Sequence, residues 1–482
     1  MTPPAPNDLA RAVRRSARIA LWAGLAGTVL GALVLIRFAR PLPVAGVALI
    51  EHEQNLWSGV DFADRPEVRV LQDLVRIDTS EPNPDEVAAA DYLAAQLGAA
   101  GVRAHVEHFP GRRANLWAFV EGDDPKAVVL HGHLDVEPLL EDGPWRHPPL
   151  SAAIDGPWIY GRGMYDMKSL TAAQLLAVLD VARSGRRPKR SLLLLATSSE
   201  EAGSELGTRW ILAQHPELVA RMGIVLDEGG VVEAVSPTDV KYWGIEFAQK
   251  HFAQISFCSS FKADLEALRD LLVATGKGAP LPDVDPRVRA FLAAYGPTRS
   301  LGLYRELLAD PDRLSRESDR FERLSPFLQS LFRNEVVPYR LEAAEGGGWR
   351  LLVAVHLLPD SDLEPVLDRL LPAWKTWGTV STPPDLRGAR GGSPIDSADF
   401  HTLETTLRAA EPSVAVGPYF LPWTSTDARY FRQLGIPAYG LSPFAVMASE
   451  TTGIAKPNER MQLPAYVRGV ALYRRLVRAL VD

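Results

Sequence analysis

The chain predicts an α/β domain with a largely parallel sheet, interrupted by an inserted second domain and preceded by one N-terminal transmembrane helix. Three observations lead there. Strand-like apolar runs alternate with helical patterns from about residue 65, the succession that builds βαβ units. The texture changes near Asp239 and returns to α/β character after a Gly/Pro/Arg-rich stretch at 383–397. Residues 19–36 form an apolar run of 18 without a charge, the short end of what crosses a ~30 Å hydrocarbon core. The boundaries that follow are a basic N-terminus at 1–18, a signal anchor at 19–36 and a connector at 37–64. The α/β domain then occupies 65–238, the insert 239–382, and the second part of the α/β domain 383–482.

Composition narrows the classes. Across 482 residues, 46% hydrophobic and 23% charged content is ordinary for a globular protein with a large core. A net charge of −7 argues against a nucleic-acid-binding surface. Cys258 is the one cysteine, so a metal site must draw on His, Asp and Glu. Arg11, Arg14, Arg15 and Arg18 precede the apolar run, and Arg37 and Arg40 close it. That bias predicts a cytoplasmic N-terminus, with the rest of the chain periplasmic or extracellular. A cleavable signal peptide is the competing reading, but its apolar core is usually ~7–15 residues, and no A-x-A site follows Ile36.

Taken in order, 66–76 reads as an amphipathic helix with Val68, Leu71, Leu74 and Val75 on one face. A turn at 78–84 leads to a helix at 85–97, then strands at 103–108, 115–120 and 127–130. A Pro/Gly-rich loop at 138–157 precedes an Ala/Leu-rich helix at 169–183. Four leucines at 192–195 indicate a strand buried on both faces. A helix at 207–214 and a strand at 222–226 complete this part. In the insert, 242–257 looks like strand, 262–274 and 363–377 helical, and 338–341 and 349–358 extended. The return carries strands at 413–416 and 437–441 and helices at 427–433 and 465–480.

Glu200 and Glu201 follow the leucine strand directly. An acidic helix start is the ordinary reading of such a pair. Three further loops change the balance, offering His133 with Asp135, Asp166, and Asp227 with Glu228. Adjacent carboxylates raise each other's pKa, and a cation is the usual remedy. Imidazole and carboxylate together suit zinc and its neighbours. In extended backbone, His133 and Asp135 share a face, so the aspartate is placed to orient the imidazole.

The stretches HGHLDVEP (131–138), GRGMYDMKS (161–169), SSEEAGS (198–204), VLDEGG (225–230) and STDARYFRQLGIPAYG (425–440) resemble one metallopeptidase family. It contains aminoacylase, carboxypeptidase S, glutamate carboxypeptidase and succinyl-diaminopimelate desuccinylase, and the carboxypeptidase-S-like branch is the nearest in pattern. The resemblance implies a di-zinc α/β catalytic domain with an inserted α+β, ferredoxin-like lid. It implies that His133 binds one metal with Asp135 behind it and that Asp166 bridges two metals. Glu200 would act as the general base towards a zinc-activated water, and Glu201 would bind the second metal. Glu228 would complete the first metal's ligands, with Asp227 the alternative. Substrates would be peptides or N-acyl amino acids, and a homodimer would form through the lid.

The pattern is broken in three places. The C-terminal histidine ligand expected three residues before Asn458–Glu459 is Ala455, so zinc is expected as one or two ions, with Glu450 or Glu459 the candidate substitutes. The lid's histidine-bearing turn is missing after the strand ending near Phe257, and His251 reads as structural. Asn334 and Pro338 keep a lid segment, but the arginine expected in the next strand is His356. Arginine is the natural bidentate partner of a carboxylate. Two expectations therefore stand: a membrane-anchored, metal-dependent amide hydrolase, or a catalytically weak relative retained for binding or assembly.

Overall fold

The run of leucines at 192–195 becomes the centre of a ten-stranded mixed sheet in the computed structural model. The structure describes residues 62 and 64–482, apart from 140–143, 235–239, 299–304, 306–307, 345, 373, 377, 383–391, 448–449 and 451–452. The expected membrane helix at 19–36 lies outside the described residues. Among those residues no helix is long and apolar enough to cross a membrane.

The first part contains α1 (Pro66–Arg76), α2 (Glu86–Ala99), β1 (Ala104–Phe109), β2 (Arg113–Val120), β3 (Asp124–His133), β4 (Ile154–Asp155), β5 (Trp158–Tyr160), α3 (Lys168–Arg183), β6 (Arg190–Thr197), α4 (Thr208–Gln214), β7 (Met222–Asp227), β8 (Val231–Ala234) and β9 (Val240–Gln249). Helix α1 buries Val68, Leu71, Leu74 and Val75, the face its spacing predicts. Helix α2 is capped by Asp85, which accepts from the Ala88 N–H at 3.0 Å.

In β6, Leu193 and Leu195 pack with Ile211, Val225 and Phe431, while Leu192 and Leu194 point the other way, where α3 packs on the strand. All four are fully buried, each contributing about 1.5–3 kcal/mol relative to exposure. Strands β6, β3, β7 and β15 (Ala438–Gly440) run parallel. The flanks do not: β2 is antiparallel to β6, and β9 is antiparallel to both β15 and β8. The largely parallel sheet expected from the sequence is thus mixed. The β1–β2 and β8–β9 connections are too short for the crossover that parallel pairing needs.

The insert is displaced from its expected start. The strand-like stretch at 242–257 is two strands, not one. The first, β9, belongs to the large sheet, paired parallel with β14 (Ala415–Leu421). The second, β10 (His251–Ser259), opens a separate layer. Lys250 joins them, its N–H donating to the Leu421 carbonyl at 3.0 Å and its Nζ standing 3.1 Å from Glu335 Oε2. The layer continues with α5 (Lys262–Thr275), β11 (Glu335–Ala343), β12 (Trp349–Leu357), α6 (Leu363–Leu370) and β13 (Gly378–Thr382). Its antiparallel order is β11-β12-β10-β13. Ile255, Phe257, Leu265, Leu268, Val353 and Leu367 give it a core of its own. The return to the large sheet brings α7 (Ala398–Ala410), α8 (Ala428–Gln433) and the C-terminal α9 (Leu463–Val481), which packs on α3. Strand β16 (Arg460–Gln462) pairs with β5, drawing the 453–459 turn against the loop that carries Asp166.

Candidate metal centre

Three parallel neighbours, β6, β3 and β7, end side by side, so the residues after them share one crevice, where open α/β sheets bind ligands. Strand β3 delivers His133 and Asp135, β6 delivers Glu200 and Glu201, and β7 delivers Asp227 and Glu228. Asp166 arrives on the loop before α3. Met167 tucks under Gly132, where a Cβ would meet its Cε at 2.7 Å. The Lys168 N–H, donating to the Gly163 carbonyl at 2.8 Å, closes that loop.

His133 is at the middle. Its Nδ1 lies 2.9 Å from the backbone carbonyl of Asp135, and its Nε2 lies 2.9 Å from Asp166 Oδ1 and 3.8 Å from Glu228 Oε1. Ligand atoms of His133, Asp166 and Glu201 lie within 4.8 Å of one another, as do those of His133, Glu200 and Glu228. The expected orienting role of the Asp135 carboxylate is modified by this geometry. That carboxylate is 3.4 Å from Nδ1, and its shorter bonds, both 3.0 Å, are accepted from the Glu200 and Glu201 N–H groups. The carbonyl is the closer partner of the ring.

The electrostatics are lopsided. Burial, and then the charge of Asp427, push the Glu200 carboxyl up to about 8. Burial and the charge of Asp166 hold both Glu201 and Glu228 well above the usual carboxylate range. Burial opposes protonation of His133, but bonds to Asp135 and Asp166 outweigh it and raise its pKa. Among the described residues no lysine or arginine forms an ion pair with Glu200, Glu201 or Glu228. Glu201 Oε1 is buried without a hydrogen-bond partner.

Asp227, the alternative to Glu228, turns away: its Oδ1 is 2.9 Å from His131 Nδ1, and His131 Nε2 is 2.8 Å from Thr208 Oγ1. Neither candidate substitute for a histidine at 455 is free. Glu459 accepts from Arg162 at 2.9 Å and from the Tyr165 N–H at 3.1 Å, and Glu450 faces Arg460. In the inserted layer, Asn334 bonds the Leu358 N–H and Ser361. Burial pushes His356 down to about 4, so it carries no charge in an arginine's stead. His251 is buried at the start of β10.

Sequence reasoning passed over Glu86, Arg113, Asn115 and Asp427, which surround the same loops. Asp427 lay within a quoted motif, yet nothing local ties it to Ser204, whose Oγ donates to it at 2.5 Å. Glu86 reads as a first-turn acid and Asn115 as an ordinary strand residue, because their partners in the loop, Ser199 and Ser198, are 113 and 83 positions away.

A family model described as Peptidase family M20/M25/M40 matches residues 129–479. The chain is 27% identical to aminoacylase-1A of Rattus norvegicus over 446 residues, 87% of this chain and 96% of that protein. It is similar in fold to the M20 family metallo-carboxypeptidase Sso-CP2 from Sulfolobus solfataricus, with a TM-score of 0.64 at 16% identity, covering 86% of this chain and 99% of that one. Human carnosine dipeptidase 1 follows with a TM-score of 0.61 at 16% identity, over 91% and 99%. With its motifs at the ends of neighbouring strands and the family match running over more than half its length, the chain belongs to peptidase family M20/M25/M40, a family of metal-dependent hydrolytic enzymes.

Proposed function

We propose that the chain hydrolyses amide bonds of peptides or N-acyl amino acids, in the manner of a carboxypeptidase or aminoacylase, with zinc held by His133, Asp166, Glu201 and Glu228. One observation carries the reading. His133 Nδ1 lies 2.9 Å from the Asp135 carbonyl, which leaves Nε2 as the nitrogen that holds a proton or a cation, and it faces a carboxylate oxygen of Asp166 at 2.9 Å. Two acceptors so close repel one another unless a proton or cation lies between them. The unpartnered Glu201 oxygen beside them and the N/O donor set fit a divalent cation of zinc's preferences.

When bound, such a cation lowers the pKa of a water towards about 7 and polarises the scissile carbonyl. The chain's own part is to place a base. Glu200, grouped with His133 and Glu228, accepts the water's proton and returns it to the leaving amine. A cation nearby favours the ionised form that burial and the charge of Asp427 otherwise oppose. Ala455 offers no ligand atom, so one tightly held ion is the arrangement this donor set favours. The zinc-loaded full chain should release amino acids from a panel of dipeptides and N-acyl amino acids, and chelation should stop it. No release from any member at saturating zinc would sink the hydrolase reading. A catalytically weak relative retained for binding is the second reading, and the loss of a nitrogen ligand at Ala455 favours it.

The four-stranded insert serves as a ferredoxin-like lid, a reading supported by its β-α-β-β-α-β succession. Support also comes from Arg340 on β11, whose charge reaches Glu137 close to the centre. A homodimer through the lid would cover Val337 and Tyr339, exposed at 38% and 47% on edge strand β11. The arginines flanking 19–36 support a single-pass anchor with the catalytic domain outside the cytoplasm.

A further inference from the structure

The loop that follows β6 is held in an unusual way. The β2–β6 ladder reaches its end with Leu116 opposite Ala196. Beyond it, four consecutive backbone N–H groups are each accepted by a side-chain oxygen. Ser198 donates to Asn115 Oδ1 at 2.8 Å and Ser199 to Glu86 Oε1 at 3.0 Å. Glu200 and Glu201 donate to the two oxygens of Asp135, each at 3.0 Å. Glu86, Asn115 and Asp135 are fully buried and come from three separate elements: α2, β2 and the loop after β3. Ser199 sits at φ 61°, in the left-handed region a residue with a Cβ avoids. Successive N–H groups in such a bend point to one side and form a nest for anions.

The acceptors are themselves fixed. Glu86 Oε2 accepts from the Ala114 N–H at 3.0 Å, and Asn115 Nδ2 donates to the Leu206 carbonyl at 2.8 Å. Arg113 binds Glu86 Oε1 at 3.0 Å and grips both oxygens of Glu81, at 2.6 and 2.8 Å. A half-buried guanidinium thus supplies the positive charge among Glu81, Glu86 and Asp135, and its fork is spent on two of them. Burying that many polar groups to end one strand is more than the strand requires. Paired backbone groups would have met the hydrogen-bonding need.

We propose that Glu86, Arg113 and Asn115 are positioning residues whose joint action, with Asp135, presets the backbone at 198–201 and so fixes where the Glu200 and Glu201 carboxylates stand relative to His133. Asp135 bonds the His133 ring through its carbonyl and the loop through its carboxylate, so the two halves of the centre share one brace. A displacement of about 1 Å at such a site costs roughly 10²-fold in rate.

Glu86→Gln tests this in the full chain, because a carboxamide has one accepting oxygen where the carboxylate has two and so cannot accept from both Ser199 and Ala114. Amide hydrogen exchange at 198–201 should accelerate at least about tenfold while exchange in α3 and β12 stays unchanged. In turnover, kcat should fall about 10²-fold with KM within about threefold. Arg113→Lys keeps the charge but loses the fork, and should show the same pattern at about a tenth of the size; it also serves should Glu86→Gln not fold. The turnover arm rests on the proposed role of Glu200, whereas the exchange arm does not, so a chain without turnover still tests the brace. Unchanged exchange at 198–201 in the folded variants would overturn the proposal. So would acceleration spread equally over α3 and β12, or a raised KM at unchanged kcat.

Discussion

His133 Nε2 stands 2.9 Å from Asp166 Oδ1 while the other ring nitrogen is engaged by the Asp135 carbonyl. Without metal, a proton on Nε2 holds this contact together, as the raised pKa of His133 requires, and a bound cation takes that proton's place. Asp166→Asn should therefore weaken both the metal-free fold and metal binding. A neutral amide pairs poorly with the protonated ring, so the zinc-free variant should be less stable than the zinc-free parent by about 1.5–3 kcal/mol, the worth of a hydrogen bond to a charged group. Zinc affinity should fall. Calorimetric melting with chelator, and zinc competition, measure both. A zinc-free variant as stable as the parent would contradict the placement.

Stability should depend on pH in a direction set by the buried carboxyls. Without metal, burial raises Glu86 and Glu459 to about 7 and Glu200 to about 8, from an ordinary 4.5. Between those limits the folded chain binds more protons than the unfolded chain. The stabilisation is complete below 4.5 and is lost as pH rises through about 7 to 8. The zinc-free melting temperature should accordingly drop from about pH 5 to about pH 8.5, and zinc should flatten the upper part by favouring ionised Glu200. A zinc-free melting temperature that climbs across the window would count against this.

Glu459 is expected to act as a brace and not as a ligand. Its carboxylate meets Arg162 at 2.9 Å, both side chains about 1% exposed. Glu459→Ala leaves that guanidinium buried and unpaired, a loss of about 3–5 kcal/mol. Denaturant unfolding should register it while zinc per folded chain stays the same. A fall in stoichiometry at unchanged stability would make Glu459 a ligand.

Ala455 sits at φ 58°, a conformation histidine tolerates better than most residues. Ala455→His should therefore fold and add a nitrogen donor on the turn that stands against the loop carrying Asp166. Isothermal titration should show a second zinc equivalent, absent from the parent. Two equivalents in the parent would show that the second site needs no histidine here.

Much of this architecture was legible residue by residue. Four leucines at 192–195 announced a strand buried on both faces, and Val68, Leu71, Leu74 and Val75 announced α1. These signals are local and periodic. The boundary of the insert was not legible, because 242–257 reads as one strand-like stretch, and the bonds of Lys250 to Leu421 and Glu335 that mark the crossing between layers are long-range. In the centre, His133, Asp166, Glu200, Glu201 and Glu228 were named from their types and order, and the structure brings them together. The brace of Glu86, Arg113 and Asn115 was invisible for the opposite reason, since each contact spans a long stretch of chain between residues ordinary in their own elements.

The most direct test of the central claim is the comparison of parent and Glu200→Gln for zinc content and amide hydrolysis in the same preparation. The neutral amide keeps the shape of the side chain and cannot take a proton. The expected result is at least one zinc per chain in both, with kcat in the variant lower by about 10²–10⁴-fold. Undiminished turnover in Glu200→Gln would contradict the assignment of the base, and less than one zinc in the parent would contradict the centre itself.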